Sequence, residues 1–194
     1  MTEDQLNNAR TLWKTVYARD SFRQAQELGT YFLEQKLNEE APTFYPLLVA
    51  IHVLYSRPFM KNYGGVGKLT DDIVPEEYKK LHSETLNFRS WLYAHTDANA
   101  PEFDEYGGSA NQVRFIRKDG KITHILVTRF KATADAVKNI CILCEALQKM
   151  TSRHIDNLWS RYLELIPHED GEYLLNVGGL EQPYVSRAKQ FFTT

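Results

Sequence analysis

The stretch 74–97, VPEEYKKLHSETLNFRSWLYAHTD, predicts one long helix around which the rest of the chain can be arranged. Pro75 lies in its first turn and two glutamates follow, which is a favourable helix start. Because a long cation inside a mostly apolar face needs a partner or a function, Arg89 is the residue to explain. Residues at spacings of three and four form that face: Tyr78, Leu81, Thr85, Phe88, Arg89, Leu92 and Thr96.

The segments on either side also carry helical apolar stripes. An N-terminal stripe runs through Asn38, and Asp20 with Ser21 allows a bend or an interruption within it. Pro42 opens the next helix and Pro58 ends it, since proline is accepted in a first turn but not in a helix interior. The predicted helices cover about 3–38, 42–57, 75–96 and 133–166.

One β-hairpin interrupts this helical pattern. The segment VRFIRKDGKITHILVTRF has two alternating runs on either side of Asp119 and Gly120, a pair that favours a two-residue type I′ turn. The predicted hairpin, about 113–128, has exposed edges that suggest pairing with another chain. The tail has an apolar run at 173–177 and a candidate helical turn that begins at Tyr184. The predicted fold is mainly α: one domain, 1–194, formed by a bundle of four to five helices with an inserted hairpin and an irregular C-terminal tail.

Composition limits the functional classes. The chain has 194 residues, of which 43% are hydrophobic and 25% charged, so it can bury a sizeable core. A net charge of -2 gives no overall attraction to nucleic acid, and any such contact must come from a local site. No apolar run approaches about 18 residues, the N-terminus is polar, and two cysteines imply no disulfide framework. We therefore expect a cytoplasmic protein with no membrane partner.

The end of the 74–97 stretch brings together the residue types of an acid–base site. Arg89 is followed six residues later by His95, and Asp97 could hold one imidazole nitrogen of that histidine. On one straight helix Arg89 and His95 lie roughly 120° and about 9 Å apart. They can meet only if the helix ends near Ala94 or if two protomers pair along this face. The structural alternatives are a histidine at the helix C-terminal dipole and an arginine paired with a nearby acid.

This ending, RSWLYAHTD, resembles the motif of the HEPN (higher eukaryotes and prokaryotes nucleotide-binding) superfamily. That motif is an arginine, a polar residue and then a histidine four to six residues beyond the arginine, near the end of a helix in a small bundle. Arg89, Ser90 and His95 match it, and AHTD is similar to the AH-x-D of prokaryotic members related to abortive-infection proteins. Family members often have Asn or Asp where this chain has Ser90.

The resemblance implies a metal-independent endoribonuclease without a cofactor, acting as a homodimer in a toxin or phage-defence setting with an antitoxin-type protein partner. His95 would act as general acid or base, Arg89 would stabilise the phosphorane-like transition state, and Asp97 would support His95. An alternative is a non-catalytic dimeric module that binds a nucleotide or a partner in the same cleft. A third hypothesis is a helical interaction protein in which Arg89 is paired within the core.

Three further residues are candidates for substrate binding. Arg57 lies between aromatic residues at a predicted helix end, Lys61 follows closely, and His82 shares a helix edge with Arg89. Together they could hold a phosphate or stack on a base of RNA or of a nucleotide. Alternatively, Arg57 caps helix carbonyls or pairs with an acid.

Other motifs indicate structure rather than chemistry. The segment NYGGVGKLT differs from a phosphate-binding loop, because Leu69 follows the lysine where Ser or Thr is required. Cys141 and Cys144 lie in an apolar helical run and are interpreted as core thiols, with no metal site. The acids at 102–105 are expected to be solvated, and His52 is expected to be buried and bonded to a carbonyl.

Overall fold

A computed structural model describes residues 3–38, 40–61, 68–90, 113–127, 133–176 and 184–187. This described part is mainly helical and contains two small antiparallel sheets, as the sequence predicted for the class. Its α-helices are α1 (Glu3–Glu34), α2 (Phe44–Ser56), α3 (Lys79–Phe88) and α4 (Ala134–Trp159). Its strands are β1 (Val113–Lys118), β2 (Lys121–Val127), β3 (Tyr173–Asn176) and β4 (Tyr184–Arg187). Short 3₁₀ turns cover Arg57–Phe59, Asp71–Ile73, Glu76–Tyr78 and Ser160–Leu165. None of the helices among these residues is both long and apolar enough to cross a bilayer.

Helix α1 continues without interruption past Asp20 and Ser21, where the sequence allowed a break. Ser21 is buried, and Asp20 accepts hydrogen bonds from Arg23 and Gln24 on the outer face. These local polar residues are therefore accommodated inside the helix instead of capping a new one. The helix ends in a Schellman-type turn, with Lys36 in the left-handed region at φ 48° and the Leu37 amide donating to the Phe32 carbonyl.

The main core lies where α1 packs against both α2 and α4, while α3 packs on α2. Helices α1 and α4 run antiparallel, since Gln26 bonds to Gln148 near one end and Asn8 bonds to Arg161 near the other. Fully buried side chains fill the space between these helices, and about 25 cal/mol per Å² of apolar surface drives their packing. The largest are Phe22, Leu48, Ile51, Tyr55, Val137, Leu143 and Leu147.

The helix predicted for 75–96 is less regular than its periodicity suggested. Pro75 is extended, a 3₁₀ turn follows, and the α-helical geometry covers Lys79–Phe88. Arg89 and Ser90 then form a wider π-type turn. Residues 91–96, the last part of the predicted helix, lie outside the described residues.

The β1–β2 hairpin confirms the strongest local sequence pattern. Asp119 and Gly120 both have left-handed φ values, 50° and 77°, which a type I′ turn requires. The pairing of Ile116 with His124 and of Arg117 with Ile122 leaves Thr123 as an extra residue, and this bulge shifts the register.

The C-terminal tail differs from the prediction. The expected helical turn at Tyr184 is wrong, because Tyr184–Arg187 forms strand β4 and pairs antiparallel with β3. The tail is therefore not irregular throughout. A single helical turn would leave most of its backbone groups unpaired, whereas a neighbouring strand supplies partners for them. Helix α4 also ends earlier than predicted, at Trp159, and continues as 3₁₀ turns to Leu165.

A second, smaller apolar cluster lies beyond α2, where the first turns of α1 meet the end of α4. It contains Ala9, Leu12, Leu158 and Tyr162. Beside it is an apolar cavity of about 230 Å³. The cavity is lined by Leu12, Trp13, Val16, Ile155, Trp159, Tyr162, Ile166, Tyr173 and Leu175.

Candidate functional site

Arg89 is the member of the predicted catalytic group that the structure describes; His95 and Asp97 lie outside the described residues. Arg89 follows the last residue of α3, and its backbone amide donates to the carbonyls of Leu86 and Thr85. Its side chain is half-buried. Within the described part of the chain, its guanidinium makes no ion pair or hydrogen bond. A partly buried cation without an acidic partner is suited to receive an anion.

The residue before Arg89 anchors this end of α3. Phe88 is buried, and its ring meets the His52 ring edge-on at 6.1 Å between centroids. His52 is itself buried on α2, and its Nδ1 lies 2.8 Å from the Leu48 carbonyl oxygen, to which it donates a hydrogen bond. The buried, carbonyl-bonded histidine expected at this position is therefore confirmed. Burial lowers the pKa of His52 to about 4.

His82 occupies an internal pocket between α2 and α3. It is 3% exposed, its Nδ1 lies 2.6 Å from the Tyr55 hydroxyl, and the Phe59 ring packs at 4.5 Å between centroids. Its Nε2 faces Asp71 at 3.5 Å from Oδ1, a distance that allows charge attraction but forms no hydrogen bond. Because a carboxylate only accepts, the proton is favoured on Nε2, and the Tyr55 hydroxyl then donates to Nδ1.

Burial controls the titration of this pair. It lowers the pKa of His82, although Asp71 acts in the opposite direction. It also raises the pKa of Tyr55, with smaller contributions from Cys144 and Asp71, so the hydroxyl keeps its proton. The hydrogen bond between this neutral histidine and this neutral tyrosine joins α3 to α2. The predicted substrate contact by His82 would require the ring to leave this pocket.

Arg57 and Lys61 lie beyond the end of α2. The Arg57 guanidinium carbon is 5.1 Å from the centre of the Tyr17 ring on α1, a cation–π contact. Lys61 is exposed. Among the described residues no hydrogen bond, ion pair or ring contact joins Arg57, His82 and Arg89. The described contacts therefore do not join these three side chains, and the substrate-binding roles of Arg57, Lys61 and His82 stay predictions.

The cysteine pair lies in the described part of the chain, whereas the glycine-rich and acidic segments do not. Cys144 is fully buried and Cys141 is half-buried, and both are free thiols whose pKa values burial raises. In the described part, no three His, Cys, Asp or Glu side chains group as a metal site would require. The glycines at 64–67 and the acids at 102–105 lie outside the described residues.

Two features were missed at the sequence level. The Tyr55–His82 hydrogen bond joins residues 27 positions apart, so no local pattern could reveal it. The apolar cavity had a weak signal in Trp13 and Val16, which lie three positions apart on α1 and remain exposed. The lining of this cavity includes none of the predicted site residues Arg57, Lys61, His82 and Arg89.

Comparison with known proteins gives no relative. No protein-family model, curated protein or solved structure matches this chain.

Proposed function

We propose that this chain is a HEPN-like, metal-independent endoribonuclease of the cytoplasm. In this proposal the protein is a helical bundle that acts as a homodimer, and an antitoxin-type protein partner inhibits it. Arg89, His95 and Asp97 are its proposed catalytic residues. The observation that carries the proposal is the Arg89 guanidinium, which is half-buried and has no anionic partner among the described residues. Arg23, an exposed arginine on α1, instead binds Asp20 and Glu27.

The proposed chemistry needs no protein nucleophile. The RNA 2′-hydroxyl attacks the adjacent phosphorus, one His95 takes its proton, and the 5′-oxygen leaves with a proton from the His95 of the second protomer. The products are a 2′,3′-cyclic phosphate and a 5′-hydroxyl end. Arg89 binds the non-bridging phosphate oxygens, whose charge increases in the transition state. Asp97 holds the imidazole in the required tautomer.

The geometry at the end of α3 supports this assignment in one respect. Regular α-helical geometry ends at Phe88, and Arg89 starts a π-type turn. Arg89 therefore lies where the regular α-helix of the described residues ends. Single π-type turns in helices are frequent at functional sites.

The three predicted substrate-binding residues receive separate roles. Arg57 and Lys61 are proposed to contact the RNA backbone, since both are exposed. His82 is proposed to act within the fold, because its ring is enclosed by Tyr55 and Phe59. Its substitution should therefore affect stability before it affects RNA binding.

The test is cleavage of single-stranded RNA in excess chelator by the wild type, Arg89→Ala, Arg89→Lys and His95→Ala. We expect His95→Ala to lose on the order of 100-fold or more in rate, as removal of a general acid–base group does. Arg89→Lys should remain impaired because an ammonium cannot form the paired contacts of a guanidinium. Arg23→Ala is the matched control, since it removes a helical arginine whose charge is already paired.

Two results would refute the ribonuclease. One is equal cleavage by the wild type and His95→Ala, and the other is no cleavage by any variant. RNA binding by the wild type without cleavage, lost in Arg89→Ala and kept in Arg23→Ala, would instead support the non-catalytic binding module.

A further inference from the structure

We propose that the β1–β2 hairpin is an arm that binds single-stranded RNA. The inference rests on the proposed function for the identity of the ligand, and it assigns substrate capture to a part of the chain outside the Arg89 site.

The hairpin exposes apolar side chains on both faces. Every described side chain from Phe115 to Thr123 is exposed, with Phe115 at 60% and Ile122 at 58%. A two-stranded hairpin normally buries one face to be stable, because it has little stability alone. Large exposed side chains grouped on so small an element indicate a contact surface.

The same element is locally basic in a chain that is acidic overall. Three cations lie at or next to the turn, Arg117, Lys118 and Lys121, and the turn itself contains one acid, Asp119. The whole chain, in contrast, carries a net charge of -2. Several helical lysines pair with a glutamate, such as Lys149 with Glu145, but these three hairpin cations have no acidic partner among the described residues. Arg117 uses Nε to donate to the Gly120 carbonyl, which leaves the outer nitrogens of its guanidinium available.

The strand register increases this local charge. Lys118 lies directly opposite Lys121, a like-charge pair that costs free energy in an isolated hairpin. An anionic ligand would remove that cost. Phe115 and Arg117 are two residues apart on β1 and so project from the same face. An aromatic ring beside a guanidinium can stack on a base and bind the adjoining phosphate.

Single-stranded RNA fits this surface better than a duplex. The major groove of an RNA helix is too narrow for side chains to read, and stacking on Phe115 requires an unpaired base. The combination of phosphate-binding cations with an exposed ring is the arrangement that single-strand binders use.

The experiment measures binding of a labelled single-stranded RNA whose 2′-hydroxyls are all methylated. Such RNA lacks the nucleophile of the proposed reaction, so binding is measured without cleavage. The test variant combines Arg117→Ala, Lys118→Ala and Lys121→Ala, and a second variant is Phe115→Ala. The control combines Lys36→Ala, Lys138→Ala and Lys149→Ala, which removes the same charge from exposed helical and loop positions.

We expect the triple hairpin variant to bind at least ~10-fold more weakly at low salt. The slope of log affinity against log salt, which is negative, should become smaller in magnitude by about 2. Phe115→Ala should weaken binding by about tenfold with an unchanged slope, because stacking releases no counterions. The control should keep most of the affinity. Circular dichroism should show that every variant is folded at the temperature of the binding assay, since the substituted side chains are exposed.

Equal affinity and slope in the wild type and the triple hairpin variant would overturn the proposal. A triple hairpin variant that keeps RNA binding but has a different oligomeric state in solution would also overturn the proposal. That result would assign the hairpin to pairing with a second copy of the chain. These outcomes are separate from failure of the ribonuclease, which is judged by cleavage of unmodified RNA.

Discussion

Gly29 determines how closely α1 and α4 approach each other. A Cβ at this position would lie 2.4 Å from Cys141 Sγ, and the next heavy atom, Val137 Cγ1, would be 3.5 Å away. The cysteine therefore occupies space that only glycine leaves free. Cys141 lies on the side of α4 that faces Gly29. Helix packing therefore accounts for this cysteine of the C-x-x-C segment, without redox or metal chemistry.

We predict that Gly29→Ala destabilises the wild type by about 1 to 3 kcal/mol, because the added methyl group overpacks the interface. In a Cys141→Ala background the same change should stabilise the protein by up to about 1 kcal/mol, the helix propensity gained over glycine. Urea unfolding of the four proteins gives the coupling free energy between the two sites. An equal effect of Gly29→Ala in both backgrounds would contradict the predicted clash.

His52 makes stability depend on pH. Its pKa in the folded chain is about 4, against 6.5 when it is exposed in the unfolded chain. Between these values the unfolded state binds the extra proton, so stability is fully present above pH 6.5 and falls as the pH decreases. We predict a loss of about 3 kcal/mol from His52 by pH 4, measured by urea unfolding across this range.

Substitution separates His52 from the other titrating groups. His52→Leu should remove most of this pH dependence, while His154→Gln, at an exposed position on α4, should keep the wild-type profile. His82 contributes in the same direction, since burial lowers its pKa too. A wild-type profile in His52→Leu would show that His52 is not the titrating group.

Among the elements, α4 starts from the best-defined cap. Thr133 is extended at φ -76° and ψ 156°, and its hydroxyl accepts a hydrogen bond from the Ala136 amide at 3.1 Å. Thr43 occupies the equivalent position before α2 but makes no side-chain cap bond. The same residue type therefore has two different energetic roles at two helix starts.

We predict that Thr133→Ala lowers the free energy of unfolding by about 1 kcal/mol, and that Thr43→Ala changes it by much less. Thermal and urea unfolding of both variants measure the difference. Equal losses at the two positions would show that the Thr133 hydrogen bond does not stabilise α4.

At the scale of the whole molecule, α1 passes through two packing environments. Its middle and C-terminal turns face both α2 and α4, and Phe22 and Phe32 there are buried in the main core. Its first turns lie beyond α2 and contact the end of α4 through the smaller cluster of Ala9, Leu12, Leu158 and Tyr162. Fewer buried apolar contacts support this end of the helix.

We predict that amide hydrogens of α1 from residue 6 to residue 14 exchange through local opening, while those from 18 to 32 exchange only with global unfolding. Native-state hydrogen exchange in increasing urea distinguishes the two, because local opening depends weakly on denaturant. Equal exchange free energies along α1 would show that the small cluster is as stable as the main core.

The sequence by itself determined the elements whose causes are local. Apolar periodicity located four helices, Pro58 located the end of α2, and Asp119 with Gly120 specified the type I′ hairpin, because backbone preferences act over a few residues. The burial of His52 and its hydrogen bond to a carbonyl were also predicted, and the structure identifies that carbonyl as the one of Leu48.

Only the tertiary structure decided which side chains meet. His82 shared a helix edge with Arg89 in the sequence, yet its hydrogen bond is to Tyr55 on another helix. Tyr184 begins a strand because β3 is available as its partner, and Arg57 lies over Tyr17 because α1 continues past the end of α2. Such contacts depend on how helices and strands pack together, and packing is set by side chains far apart in the chain.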